Sequence, residues 1–306
     1  ELAVGGMGFF ECIEDEKAAF LLFDTCKNWL QEKEINVIEG PINFGERDNW
    51  WGLLVDGFDI DPNYKMPYTK QYYPSFFENY GFEVYFKQLT FARKVQDPLT
   101  EKYKEKADRI AKNPNYSFER LNQKNIEKYT EDFRIIYNKA WVKHKGVNEM
   151  SSLQAKTIMK QLKPIIDPDI IYFAYYEKEP IGFFLNIPEV NQYFRFMNGK
   201  LDLWGKVKFM YHKMIGTNKK MVGRAFGIVP EHQGKGLEAA IVMFGRKIVQ
   251  EEIKGRYIDY EMNWIGDFNP KMVHIAETIG NVAKTHVTYR KMLNDDLTFE
   301  RCPNIE

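Results

Sequence analysis

The segment 227–240, GIVPEHQGKGLEAA, constrains this chain more than any other. An apolar run, MVGRAFGIVP (221–230), reads as a strand, and a polar turn carrying Gly234 and Gly236 breaks it. The following GLEAAIVMFGRKIVQEE (236–252) has its apolar residues at helical spacing. A strand that feeds a helix through a short turn needs a sheet to join and a helix layer to cover that sheet.

The rest of the chain supplies both. From 116 onward the pattern predicts a strand (116–121), helices over 125–141 and 152–166, and a hairpin over 170–188 turning at Glu177-Lys178-Glu179-Pro180. A basic, aromatic helix (203–214), a strand (256–266), a helix (269–280) and a closing strand (284–293) complete the series. Residues 1–97 read as strands over 7–13 and 35–43, a helix over 16–33, a long loop with Trp50 and Trp51, a short helix ending at Gly81-Phe82, and a further strand. The lysine- and glutamate-rich 98–115 reads as a solvated connecting helix. The expected organisation is therefore α/β with a mixed sheet, in two domains, 1–97 and 116–306, joined by 98–115.

Lys+Arg and Asp+Glu balance at 43 each over 306 residues, so the net charge gives no footprint for nucleic acid. No apolar run is long enough to span a bilayer, and no secretory signal opens the chain. Three cysteines fit no zinc spacing and the histidines form no HxH or HExxH pattern, so no metal site is expected. A reduced, cytoplasmic protein is the expectation. The opening ELAVGG lacks an initiating methionine, which reads as a missing N-terminal segment.

The turn at 233–237 has a specific physical capacity. The first N–H groups of a helix lack internal partners, and the helix dipole adds to their attraction for an anion. Gln233, Gly234, Lys235, Gly236 and Leu237 would form such a nest, with Lys235 adding charge. The other reading is that the two glycines only permit the chain to turn. Both stand at this point.

The stretch resembles motif A of the GCN5-related N-acetyltransferases (GNAT), V-x-P-x-x-Q/R-x-x-G-x-G/A. Gln233 and Gly236 match, Val229-Pro230 lacks the intervening residue, and Glu238 stands at the final Gly/Ala position. A second family signature, N-x-x-A-x-x-L-Y-x-x-x-G-F, is similar over Asn269 to Gly280, with Met272, Ile275 and Ala276 at the Ala, Leu and Tyr positions. The first segment resembles the second half of another GNAT domain, but its phosphate turn holds Glu14, Asp15 and Glu16 and no glycine. The resemblance implies tandem GNAT-like domains, the first degenerate and N-terminally incomplete, as in a group of bacterial tandem-GNAT proteins.

What the resemblance implies for function is acyl transfer from acetyl-CoA or another acyl-CoA to an amine acceptor. The pantetheine arm would pair with strand 221–230 through backbone groups near Phe226 and Ile228, and the pyrophosphate would sit on 233–237. Asn263 and Asn269 are further implied cofactor-binding residues. A general base is needed, with Glu261 and Asp259 as candidates, two apart and so facing one side; Glu231 is a third. The family's thiolate-protonating tyrosine is replaced by Ala276 and, in the first domain, by Phe77; Tyr289 is the candidate substitute. A homodimer is compatible with this reading. The alternatives are a non-catalytic acyl-CoA-binding or scaffold protein, and a long-chain acyl or aminoacyl transferase. Lys206, Lys208, His212 and Lys213 on helix 203–214 read as part of a solvated cover helix, the other reading being contact with a membrane surface or an acidic substrate.

Overall fold

The computed structural model describes residues 3–43, 51–141, 149–294 and 296–305. The first elements are β1 (Val4–Gly6), α1 (Glu16–Gln31), β2 (Val37–Gly40), β3 (Leu53–Asp56), α2 (Tyr73–Asn79) and β4 (Glu83–Lys94). Then come α3 (Glu101–Ala111), β5 (Tyr116–Arg120), α4 (Ile126–Trp141), α5 (Ser152–Leu162), β6 (Ile171–Tyr176) and β7 (Glu179–Pro188). The series ends with α6 (Asn191–Phe194), α7 (Leu203–Met214), β8 (Lys220–Ile228), α8 (Leu237–Lys247), β9 (Asp259–Gly266), α9 (Pro270–Ile279) and β10 (Asn281–Met292). The architecture is mixed α/β, as expected.

Two compact units divide the chain. Unit 1 holds Glu1–Phe91, Trp264–Glu277 and Asn281–Glu306; unit 2 holds Ala92–Asn263 and Thr278–Gly280. This differs from the expected boundaries 1–97, 98–115 and 116–306. The reason is β10, whose late half pairs antiparallel with β2 (Tyr289↔Gly40) and whose early half pairs with β3 (Val287↔Leu53). Its buried residues Val287 and Tyr289 complete an aromatic core with Phe23, Phe77 and Phe82. Tyr289 stacks on Phe77 at 5.2 Å between centroids and donates to Glu78 Oε1 at 2.9 Å.

The strand expected over 7–13 is not one; the strand is β1, and 7–13 is irregular. Side chains replace the ladder there. Cys12 N–H donates to Tyr73 Oη at 3.0 Å, and Tyr72 Oη donates to the Cys12 carbonyl at 3.0 Å. The acidic turn that follows is a helix cap: Asp15 Oδ1 accepts from Lys17 N at 2.9 Å. Of the paired tryptophans, Trp50 lies outside the described residues. Trp51 is buried, its Nε1 donating to Thr288 Oγ1.

Unit 2 orders its strands β9-β8-β7-β6-β5. All neighbours are antiparallel except β8 and β9, which run parallel. Alternation along β7 sends Phe183 to α4, where it meets Phe133 at 4.9 Å, and Phe184 to the opposite face. On that opposite face Tyr172 packs edge-on against Phe244 of α8 at 5.9 Å. α3, expected to be a solvated connector, buries Tyr103, Ala107 and Ile110.

Candidate active site

The parallel pairing of β8 with β9 runs from Lys220↔Asp259 to Gly223↔Met262 and stops there. β8 nevertheless continues to Ile228, paired on its other side with β7 as far as Gly182↔Ile228. The two strands therefore part at Gly223. A bulge marks the same point: β7 residues Leu185 and Asn186 pair with Ala225 and Gly223, leaving Arg224 as the extra residue. Bulges increase local twist and recur beside functional sites. The β9-facing edge of β8 from Arg224 onward is thus not engaged in the β8–β9 ladder, and Phe226 and Ile228 lie on it.

Beyond Ile228 a short 3₁₀ turn, Pro230–His232, leads to the glycine turn. Gln233 Nε2 donates back to the Ile228 carbonyl at 2.8 Å, fixing the exit from the strand. Gly234 and Gly236 both have positive φ, +68° and +97°. Around Gly234 an added Cβ would meet nothing within 4 Å. At Gly236 it would lie 3.3 Å from the Lys106 carbonyl of α3, so this glycine also serves packing. Gly236 is the left-handed N-cap residue of α8, and Leu237, fully buried, anchors the first turn of that helix. Arg109 of α3 donates from Nη2 to the Lys235 carbonyl at 2.9 Å, bringing a guanidinium to the turn. Glu238 faces Tyr103 of α3, where burial first and the Glu238 charge second raise the phenol's pKa. His232 sits between Tyr116, whose hydroxyl is 3.0 Å from Nδ1, and Tyr176; burial and Lys235 lower its pKa and favour the neutral imidazole.

No family model matches the chain. Among curated proteins it is similar to Protein YghO of Escherichia coli strain K12, 25% identical over 288 residues, covering 94% of this chain and 73% of that protein. It is similar to a bacterial ceramide synthase of Caulobacter vibrioides, 27% identical over 286 residues, covering 92% and 73%. Among solved structures, a GCN5-related glucosamine N-acetyltransferase region of a fungal multi-domain GH3 β-N-acetylglucosaminidase matches at TM-score 0.50 and 11% identity, over 89% of this chain and 27% of that one. The fold is that of the GCN5-related N-acetyltransferases.

On this GNAT fold the expected site residues fall into three groups. Gln233, Gly234, Lys235, Gly236 and Leu237 form the turn, with Phe226 and Ile228 on the strand leading to it. Asp259, Glu261 and Asn263 line β9 beside the point of parting. Tyr289 and Asn269 belong to unit 1. Tyr289 is a core residue whose hydroxyl is bound to Glu78, and Asn269 Oδ1 accepts from Met272 N at 3.1 Å, capping α9.

Both candidate bases are engaged. Glu261 is buried and forms an ion pair with Lys220, also buried. As a base it would first have to release that cation. Asp259 pairs with Lys94 at the surface. Glu231 is exposed on the 3₁₀ turn.

Three residues with functional potential escape a reading of sequence alone. Tyr260 lies between the two candidate acids and so faces the opposite side of β9. It is 5% exposed, and its hydroxyl has no hydrogen-bond partner among the described residues. That hydroxyl lies over Gly223, where an added Cβ would meet it at 2.7 Å. Burial, with Tyr103 nearby, holds its pKa well above the usual phenol value, so it remains a donor. Asn186, 1% exposed, directs Oδ1 to the same place while its Nδ2 donates to the Ile170 carbonyl at 2.8 Å. A small cavity against α8, lined by Tyr260, Asn186, Phe184, Met221 and Arg246, contains both groups. The third residue is Arg109, hidden in a lysine-rich run that looked like a solvated face. Its one legible signal was the Tyr103, Ala107, Ile110 spacing of a buried stripe.

Proposed function

We propose that the chain transfers an acyl group from an acyl-coenzyme A to an amine. One observation carries this: β8 parts from β9 at Gly223 and then delivers a left-handed glycine turn to the N-terminus of α8. The open strand edge offers backbone groups to an extended amide-containing arm, which binds as an added strand. The turn offers amide N–H groups, open space at Gly234, and the charges of Lys235 and Arg109 to a pyrophosphate.

The reaction asks four things of these residues. The amine must lose a proton, for which Glu261 and Asp259 are the acids on β9. The neutral amine attacks the thioester carbonyl carbon, and negative charge gathers on the carbonyl oxygen. A backbone N–H near Ile228, or the Tyr260 hydroxyl near Gly223, stabilises that charge. The attached nitrogen gives up its extra proton to solvent, the carbon–sulfur bond breaks, the thiolate takes a proton from solvent, and an amide and free coenzyme A leave.

Similarity to a bacterial ceramide synthase over 92% of the chain favours a long acyl chain and a lipid amine over acetyl transfer to a small polar amine. Calorimetric titration with acetyl-CoA and palmitoyl-CoA tests the reading. Saturable binding of either, followed by amide formation with a long-chain amine, is expected. Absence of binding by both would sink it, and binding without transfer to any amine in a broad panel would leave a ligand-binding protein instead.

A further inference from the structure

α7 turns its polar–apolar pattern outward. It buries Gly205 and Phe209, with His212 and Lys213 half-buried, and at 3.6 residues per turn these share one side. Phe209 meets Tyr193 edge-on at 5.1 Å, and Lys213 Nζ donates to the Pro164 carbonyl at 2.6 Å. The opposite side carries Leu203, Val207, Met210 and Met214, flanked by Trp204 and Tyr211, and every one is exposed. Leu203, Trp204 and Met214 are 74%, 73% and 78% exposed. Isolated exposed apolar side chains are ordinary, whereas a continuous face of them marks a surface that something covers.

Charge identifies what covers it. Lys206 borders the apolar face on the side of Lys213, and Lys208 borders it on the other. Both are exposed, and among the described residues neither pairs with an acid. The acid of the helix's own sequence neighbourhood, Asp202, is engaged as the N-cap, accepting from Gly205 N at 2.8 Å. A second copy meeting this face by two-fold symmetry would set lysines against lysines. Phospholipid phosphates answer them. An apolar face with cations along both borders is the pattern of a helix lying in a bilayer interface, its lysines reaching back to the headgroups. The neutral net charge of the chain conceals this local arrangement.

We propose that the outer face of α7 docks the protein on an anionic phospholipid bilayer. The test uses the full chain and sedimentation with vesicles of phosphatidylcholine, alone or mixed with phosphatidylglycerol. The expected result is binding to the mixed vesicles that weakens with salt. Trp204→Glu combined with Met210→Glu should lower the partition coefficient at least about tenfold. Lys206→Glu with Lys208→Glu should lower it by at least about thirtyfold on the mixed vesicles alone, each lysine near an anionic surface being worth about 1 kcal/mol. All four side chains are exposed, so unchanged circular dichroism should accompany these losses. No binding by the unmodified chain, or equal binding by the Trp204/Met210 variant, overturns the proposal. So does a dimer in the ultracentrifuge that the same variant dissociates while vesicles capture nothing, which assigns the face to a second copy. Vesicle binding is read without turnover, so this result is separate from that for acyl transfer.

Discussion

Replacing Tyr260 with Phe separates stability from function at one atom. The ring stays, keeping its edge contact with Phe184 at 6.2 Å, and only the hydroxyl over Gly223 is removed. That hydroxyl is buried without a hydrogen-bond partner, a condition that costs about 1–3 kcal/mol. Losing the packing contacts of one oxygen returns part of this, so a net gain in stability of about 1 kcal/mol is expected. In a chain of 306 residues that is a rise in Tm of about 1.5 °C, at about 2.1 cal/mol/K of unfolding entropy per residue. Urea unfolding monitored by far-ultraviolet circular dichroism reads the same change as a higher midpoint with an unaltered slope. If the hydroxyl donates to the thioester oxygen, kcat/KM for acyl transfer should fall by roughly tenfold to a thousandfold, the range for loss of one such donor. The two readouts thus move in opposite directions, as expected where a site holds an unsatisfied group for its substrate. A loss of stability of 1 kcal/mol or more, on the order of one made hydrogen bond, would refute the reasoning by showing the hydroxyl partnered. An unchanged rate would remove Tyr260 from the reaction.

The glycine turn offers a graded test. Gly236→Glu should abolish acyl-CoA binding by calorimetry, since a carboxylate would join a left-handed residue already close to the Lys106 carbonyl. Gly234→Ala, at positive φ but in open space, should cost about 1–2 kcal/mol in conformational strain and weaken binding only in part. Glu261→Gln leaves Lys220 charged and unpaired in a buried place, and a loss of about 3–5 kcal/mol in urea unfolding is expected. For the same pair, Lys220→Met with Glu261→Met should cost much less. Acid should weaken the fold through His286, which is buried in unit 1 and donates from Nε2 to the Pro67 carbonyl. Burial pushes its pKa down to about 4 from 6.5. The unfolded chain takes up this proton first, so stability present above pH 6.5 is lost as pH falls through the window to about 4. The loss is about 3 kcal/mol in all, at about 1.4 kcal/mol per pH unit. Unfolding midpoints of the parent and His286→Asn at neutral and acidic pH check this: the parent should show the steeper decline. Tyr289→Phe should cost about 1 kcal/mol in stability through its bond to Glu78, with no change in transfer rate.

Local pattern alone determined much of this protein. The β8–turn–α8 unit, the β6–β7 hairpin turning at Glu177-Lys178, and the limits of α7 follow from periodicity and turn chemistry, both of which are set by residues close in sequence. The same local logic makes Gly234 and Gly236 a left-handed turn at a helix start. Tertiary structure decided that β10 pairs with β2 and β3, and with it that Tyr289 is a core residue of unit 1. It decided that β8 leaves β9 at Gly223, that Arg109 reaches the Lys235 carbonyl, and that the Tyr260 hydroxyl is left unpartnered beside Asn186. Strand pairing is made by backbone groups that every residue carries, so the sequence of a strand does not name its neighbour or the residue at which pairing ends.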